Sequence, residues 1–218
     1  MSLELTIENE IALIKFDDGK VNAVGFDLID AFNTALDRAE QEANAVVLYG
    51  GEGKFCGGFD LTVMKAEDKS LQMKLVTLGA KLVKRMYSFP KPLIAAAEGH
   101  SIALGAIFLM AADLRIGKDG ETKYGLNETA IGMVLPPFGM ELAKARLALA
   151  CQTESLLFSR IYQGKEAVKA GFLDAAVPQD QVLATAMGYA EQLKMLPSNA
   201  FAQSKLQLRQ DTLDRMGV

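Results

Sequence analysis

Two short apolar runs that break into glycine-rich turns constrain this chain more than any other feature. Ala45-Val46-Val47-Leu48-Tyr49 leads into Gly50-Gly51-Glu52-Gly53 and then Cys56-Gly57-Gly58. Leu93-Ile94-Ala95-Ala96-Ala97 leads into Gly99-His100-Ser101-Ile102-Ala103-Leu104-Gly105. An apolar run of this length bounded by turn residues reads as a short buried strand. Around the runs, apolar residues fall at helical spacing. Phe26, Leu28, Ile29, Phe32, Leu36 and Ala39 form one such segment, and residues 71–87 form another, closed by Pro90 and Pro92. Strands alternating with helices predict an α/β layered domain.

The remaining segments fit that class. Residues 3–8 alternate apolar and polar, Asn9-Glu10 intervenes, and residues 11–16 are apolar, which predicts a β-hairpin. Residues 50–58 read as one long glycine-rich connection, 106–111 as a short buried helix, and 114–116 and 122–124 as short strands. After Pro136-Pro137 the pattern is helical over 140–150, 153–162, 165–170, 179–193 and 199–216. The expectation is an α/β core with a helical C-terminal part.

Composition removes several function classes. A chain of 218 residues, half hydrophobic and 23% charged, suits one globular domain with at most a small appendage. The net charge is −4 and no basic block occurs, which argues against a nucleic-acid partner but leaves small anions open. Cys56, Cys151 and the single His100 make neither a disulfide framework nor a zinc site, so no metal is expected. The N-terminal residues lack a signal pattern, and the longest apolar stretch, 102–112, is too short to span a bilayer. A cytoplasmic protein with no membrane partner is expected.

The motifs narrow the chemistry. No phosphate loop is present, because the glycines of 50–58 have the wrong spacing and no Lys-Ser/Thr follows. Gly99-His100-Ser101-Ile102-Ala103 has the look of a nucleophile elbow, but the one histidine adjoins the serine and none lies downstream. Cys56 reads as a small residue in a tight turn. What remains is a combination. Gly57-Gly58 can expose the amide of Phe59, and Leu104-Gly105 opens a helix whose first amides are unpaired. On the ends of parallel strands, two such turns can form an oxyanion hole. Glu128, in Gly125-Leu126-Asn127-Glu128-Thr129, is a lone carboxylate able to move a proton beside it. Together they point to enolate chemistry.

Phe55-Cys56-Gly57-Gly58-Phe59-Asp60-Leu61, the run from Ala96 through Gly105, Ala112-Asp113-Leu114-Arg115, Gln163-Gly164-Lys165-Glu166-Ala167 and Ala170-Gly171-Phe172-Leu173-Asp174 resemble, in order, the crotonase (enoyl-CoA hydratase/isomerase) superfamily. The resemblance implies a β-β-α spiral core over 1–197, a C-terminal helix over 198–218 that is short for the family, and a homotrimer or hexamer. It implies an acyl-CoA thioester substrate, with coenzyme A as part of that substrate and no separate cofactor. The oxyanion amides map to Phe59 and Leu104. The coenzyme-binding segment maps to Ala23, Gly58, Asp60, Leu61 and Gly105.

Two departures from the family pattern carry information. The first hydratase glutamate, three residues after the oxyanion position, is Ile107 here, whereas the second is present as Glu128. Retaining only this acid resembles the 3,2-enoyl-CoA isomerases, which shift a double bond with a single proton shuttle. Burial against Ile107, Leu135 and Phe138 would raise the Glu128 pKa and suit that role. Leu104 stands where most members carry glycine, and Phe59 is larger than usual; both would restrict the substrate. The alternatives are hydration or another thioester-enolate reaction (hydrolysis, decarboxylation), and a non-catalytic acyl-CoA-binding subunit.

Overall fold

The computed structural model describes residues 2–218. Strands β1 (Ser2–Glu8) and β2 (Ile11–Asp17) pair antiparallel with Glu8 opposite Ile11. Asn9 and Glu10 between them are both left-handed, φ 49° and 62°, the two-residue turn that matches strand twist. Helix α1 (Phe26–Glu42) follows.

The chain then makes three β-β-α passes. The first is β3 (Ala45–Tyr49), β4 (Lys54–Cys56), the short α2 (Leu61–Met64) and α3 (Lys69–Tyr87). The second is β5 (Leu93–Ala97), β6 (His100–Ile102) and α4 (Leu104–Ala111). The third is β7 (Leu114–Lys118), β8 (Lys123–Gly125) and α5 (Pro137–Arg146). After α6 (Gln152–Leu156) come β9 (Tyr162–Gln163), α7 (Gly164–Ala170), β10 (Ala175–Val177), α8 (Val182–Leu193) and α9 (Ser198–Arg215). This is the expected mixed α/β spiral with a helical C-terminal part.

The first strand of each pass joins one sheet, ordered β1-β2-β3-β5-β7-β10 and parallel from β2 onward. The second strand of each pass joins another, ordered β4-β6-β8-β9, in which β4, β6 and β8 are parallel. The continuous apolar runs of β3 and β5 are explained by burial on both faces. Val46, Leu48, Leu93, Ala95 and Ala97 enter the larger core. Ala45, Val47, Ile94 and Ala96 enter a second core, closed by Val182, Ala186 and Ala190 of α8.

Sequence reading found β8, expected as a short strand over 122–124, but missed the rest of the second sheet. Residues 54–56 and 100–102 lie inside segments read as connection and turn, because three-residue strands carry no resolvable periodicity. Strand β10 was missed for the same reason, and the helix expected over 153–162 stops at Leu156, before Ser159 turns left-handed at φ 53°.

Asn22 ties the two sheets together. It is fully buried and left-handed, φ 55°. Its side-chain amide shares its two hydrogens among the carbonyls of Phe16 in β2 (3.0 Å), Gly50 after β3 (2.6 Å) and Phe55 in β4 (2.9 Å), and its Oδ1 accepts from Asp18 N (2.9 Å). Asn22→Ala leaves three buried carbonyls short of a donor, and is expected to cost about 2–3 kcal/mol in urea unfolding. Asn22→Gly restores the backbone preference but not the donors, so most of the loss should remain.

Helix α9 docks through charge. Lys205 Nζ and Arg209 Nη2 reach Asp113 at 2.7 and 2.9 Å, Leu93 N donates to the same carboxylate at 2.7 Å, and Arg209 lies 4.1 Å over the Tyr87 ring. A second pair, buried Arg115 with the more exposed Asp174, is bidentate at 2.8 and 2.7 Å and fastens the loop after α7 to β7.

Candidate active site

The three positions that stood out in the sequence leave the C-terminal ends of three adjacent parallel strands. Phe59 follows β4, Leu104 follows β6 and Glu128 follows β8. A parallel bridge fixes the first turn: Val24 N donates to Gly58 O at 2.8 Å, and Asp60 N to Val24 O at 3.0 Å. Alternation along the strand then directs the Phe59 N–H away from Val24. Gly58 has φ +114°, and a Cβ there would lie 3.3 Å from Ala103 Cβ and 3.9 Å from Leu104 N. The two turns are therefore in direct contact.

The second turn is strained. Ala103, the N-cap of α4, has φ 53° and ψ −123°, a conformation that costs a residue with a side chain about 1–3 kcal/mol. Its N–H donates to Gly125 O at 3.1 Å, and its carbonyl accepts the first bond of the helix from Ile107 N at 3.1 Å. The amides of Leu104, Gly105 and Ala106 precede that bond and belong to the unpaired first turn. A Cβ at Gly105 would lie 2.0 Å from Cys56 O, so the helix start presses on β4 and only glycine fits. Among the described residues, nothing accepts from the Phe59 or Leu104 N–H.

Glu128 is 7% exposed, and its Oε2 has no hydrogen-bond partner among the described residues. Burial pushes its pKa up; amides of Glu128 and Asn127 oppose this only in part. The loop that carries it is held rigidly. Met133 N donates to Glu128 O at 2.8 Å, Ala130 N to Ser159 Oγ at 3.1 Å, and Gly132 closes the turn left-handed at φ 75°. Ile107 is buried one turn into α4, where a Cβ on Gly139 would come within 2.9 Å of its Cδ1 and 3.1 Å of Leu135 Cδ1. The position one turn into the helix is thus apolar and packed.

Ala23, Asp60 and Leu61 line a cleft of about 570 Å³ together with Phe59 and Gly57. Asp60 also caps α2, accepting from Thr62 N at 2.8 Å. Gly58 and Gly105, also expected in the coenzyme-binding segment, are not among the cleft-lining residues; Gly58 packs against Ala103 and Gly105 against Cys56. Lys20, which sequence reading passed over, is the cation among the cleft-lining residues, which also include Asp18 and Asp27. The local signal for it was slight: Asp18 accepts from the amides of Lys20, Asn22 and Ala23, an Asx-type turn readable only once the loop is seen.

A family model described as enoyl-CoA hydratase/isomerase matches residues 6–216. The chain is 32% identical over 185 residues to the Arabidopsis thaliana peroxisomal fatty acid beta-oxidation multifunctional protein AIM1, covering 83% of this chain and 25% of that protein. It thus spans about a quarter of the length of that relative. It is 26% identical to human mitochondrial enoyl-CoA delta isomerase 1, over 94% of this chain and 70% of the relative. Mycobacterial relatives named probable enoyl-CoA hydratases match at 29–31%. The crystal structure of an enoyl-CoA hydratase/isomerase family protein from Pseudomonas syringae superposes with a TM-score of 0.95 at 38% identity, over 98% of this chain and 93% of that one.

Proposed function

The chain belongs to the enoyl-CoA hydratase/isomerase family, and from that premise we propose that it moves the double bond of a 3-enoyl-CoA to the 2-position. The observation that carries the reading is the isolation of Glu128: one buried carboxylate with an unpartnered oxygen, and an isoleucine one turn into α4. Water addition by the two-carboxylate route needs a second acid to hold and activate the water, which Ile107 cannot supply. A single acid suffices for isomerisation.

In this mechanism the acyl-CoA enters along the cleft of Ala23, Asp60 and Leu61 and sets its thioester oxygen between the Phe59 and Leu104 amides. Glu128 takes a proton from C2, and the negative charge passes to the thioester oxygen, where the two N–H groups stabilise it. Glu128, now protonated, returns the proton at C4, and the double bond lies between C2 and C3. Coenzyme A is part of the substrate, and the scheme uses no metal or separate cofactor. A homotrimer or hexamer belongs to the same reading. Exposed apolar side chains at Ile131, Met133, Val134, Leu149, Leu157 and Phe158 support burial by another copy, which light scattering would check. A cytoplasmic location is also part of it, supported by two free cysteines, and cell fractionation would check it.

Incubation with 3-enoyl-CoA of several chain lengths tests the reaction. Conjugation should appear in the ultraviolet, and no turnover at any length overturns the assignment. Mass analysis of the product separates isomerisation from hydration, hydrolysis and decarboxylation.

The pH profile is a further test. Glu128 must be ionised to take the proton, and burial raises its pKa above 4.5. The acid limb of kcat should therefore fall at a higher pH than an ordinary carboxylate would give, with activity lost as pH drops through it.

A further inference from the structure

Glycine is unfavourable inside a helix, yet Gly79 sits in the middle of α3 and is buried. Its neighbours explain it. A Cβ at position 79 would lie 2.5 and 2.6 Å from Phe59 Cε1 and Cζ, and 3.9 Å from Leu104 Cδ2. The side chains of the two residues whose amides stand free at the strand ends therefore converge on one bare patch of helix. Phe59 also lines the cleft, and its backbone is fixed by the bridge to Val24. With the backbone fixed, a ring driven off the helix can move only by rotating about its own side-chain bonds.

We infer that Gly79 is a positioning residue: a notch in α3 that seats the Phe59 ring and so keeps the cleft open beside the two amides. The inference rests on the acyl-CoA reading and goes beyond it. It explains how a phenylalanine and a leucine are accommodated at the two amide positions. A methyl group at 79 turns the ring into the cleft, where it competes with the ligand. Removing the ring removes the competition.

Calorimetry with a saturated S-alkyl-CoA thioether tests this, because the ligand cannot turn over and lacks the thioester oxygen. Gly79→Ala should weaken binding at least tenfold in the wild-type chain, but by less than threefold when it is introduced into a Phe59→Ala chain. Wild-type affinity in Gly79→Ala overturns the inference. So does a tenfold loss from the same glycine change in the Phe59→Ala chain with its melting temperature intact. Should Gly79→Ala misfold, the double variant should fold and bind; if it does neither, the inference also falls. A wild type that binds no thioether overturns the acyl-CoA reading itself, which separates that failure from this one.

Discussion

Glu128→Gln should lower kcat for double-bond migration by about 10²–10⁴-fold while leaving the fold intact. The amide keeps the size and shape of the side chain but cannot carry a proton from C2 to C4. The same substitution makes a second, independent claim on stability. The folded-state pKa of Glu128 lies above its unfolded value because burial disfavours the charge. The stability linked to its proton is fully present below the unfolded pKa and is lost as pH rises through the folded one. Above that window the ionised carboxylate is thus a net cost, and there Glu128→Gln should melt no lower than wild type. Activity near the wild-type level sinks the mechanism. Loss of activity together with a collapsed melting transition would instead make Glu128 a structural residue.

Asp113→Ala should be among the most damaging changes outside the active site, costing about 3–5 kcal/mol in urea unfolding. It removes the carboxylate that pairs with Lys205 and Arg209 and leaves both cations buried. Lys205 itself behaves differently. Burial pulls its pKa down to about 8 from 10.5, and pairing with Asp113 opposes that only in part. Its charged form therefore costs stability below about pH 8, and the cost is relieved as pH rises from about 8 to 10.5. Lys205→Met, which keeps the length and drops the charge, should change stability by less than about 1 kcal/mol at neutral pH. The contrast is the test. Equal losses for the two variants, or an Asp113→Ala protein within about 1 kcal/mol of wild type, would refute this account of α9 docking.

The site was legible in the sequence to the extent that its parts are local. Gly57-Gly58 and Leu104-Gly105 announce turns through glycine itself, and Glu128 is conspicuous because no other acid, histidine or thiol in the chain makes a better constellation. Lys20 was not legible, because its place in the cleft depends on the loop that Asp18 and Asn22 build around it. Gly79 was illegible for a related reason. A lone glycine in a helical pattern has many explanations, and the ring that occupies its empty side lies twenty residues earlier in the chain. The pairing of Lys205 and Arg209 with Asp113 was illegible because the partners lie far apart in the chain.

The sequence alone determined the class of fold and the inventory of the site. Periodicity and turn chemistry are short-range properties, and they sufficed to set β3, β5, α1 and α3 and to mark both glycine turns. Tertiary structure decided the rest. Strands β4 and β6 are three residues each and exist only because they pair with their neighbours, so no local pattern encodes them; β8 was expected as a short strand, but only pairing with β6 gives it its place. Their parallel alignment brings Phe59, Leu104 and Glu128 to one end of one sheet. Burial there, a property of the packed molecule, raises the pKa of an otherwise ordinary glutamate.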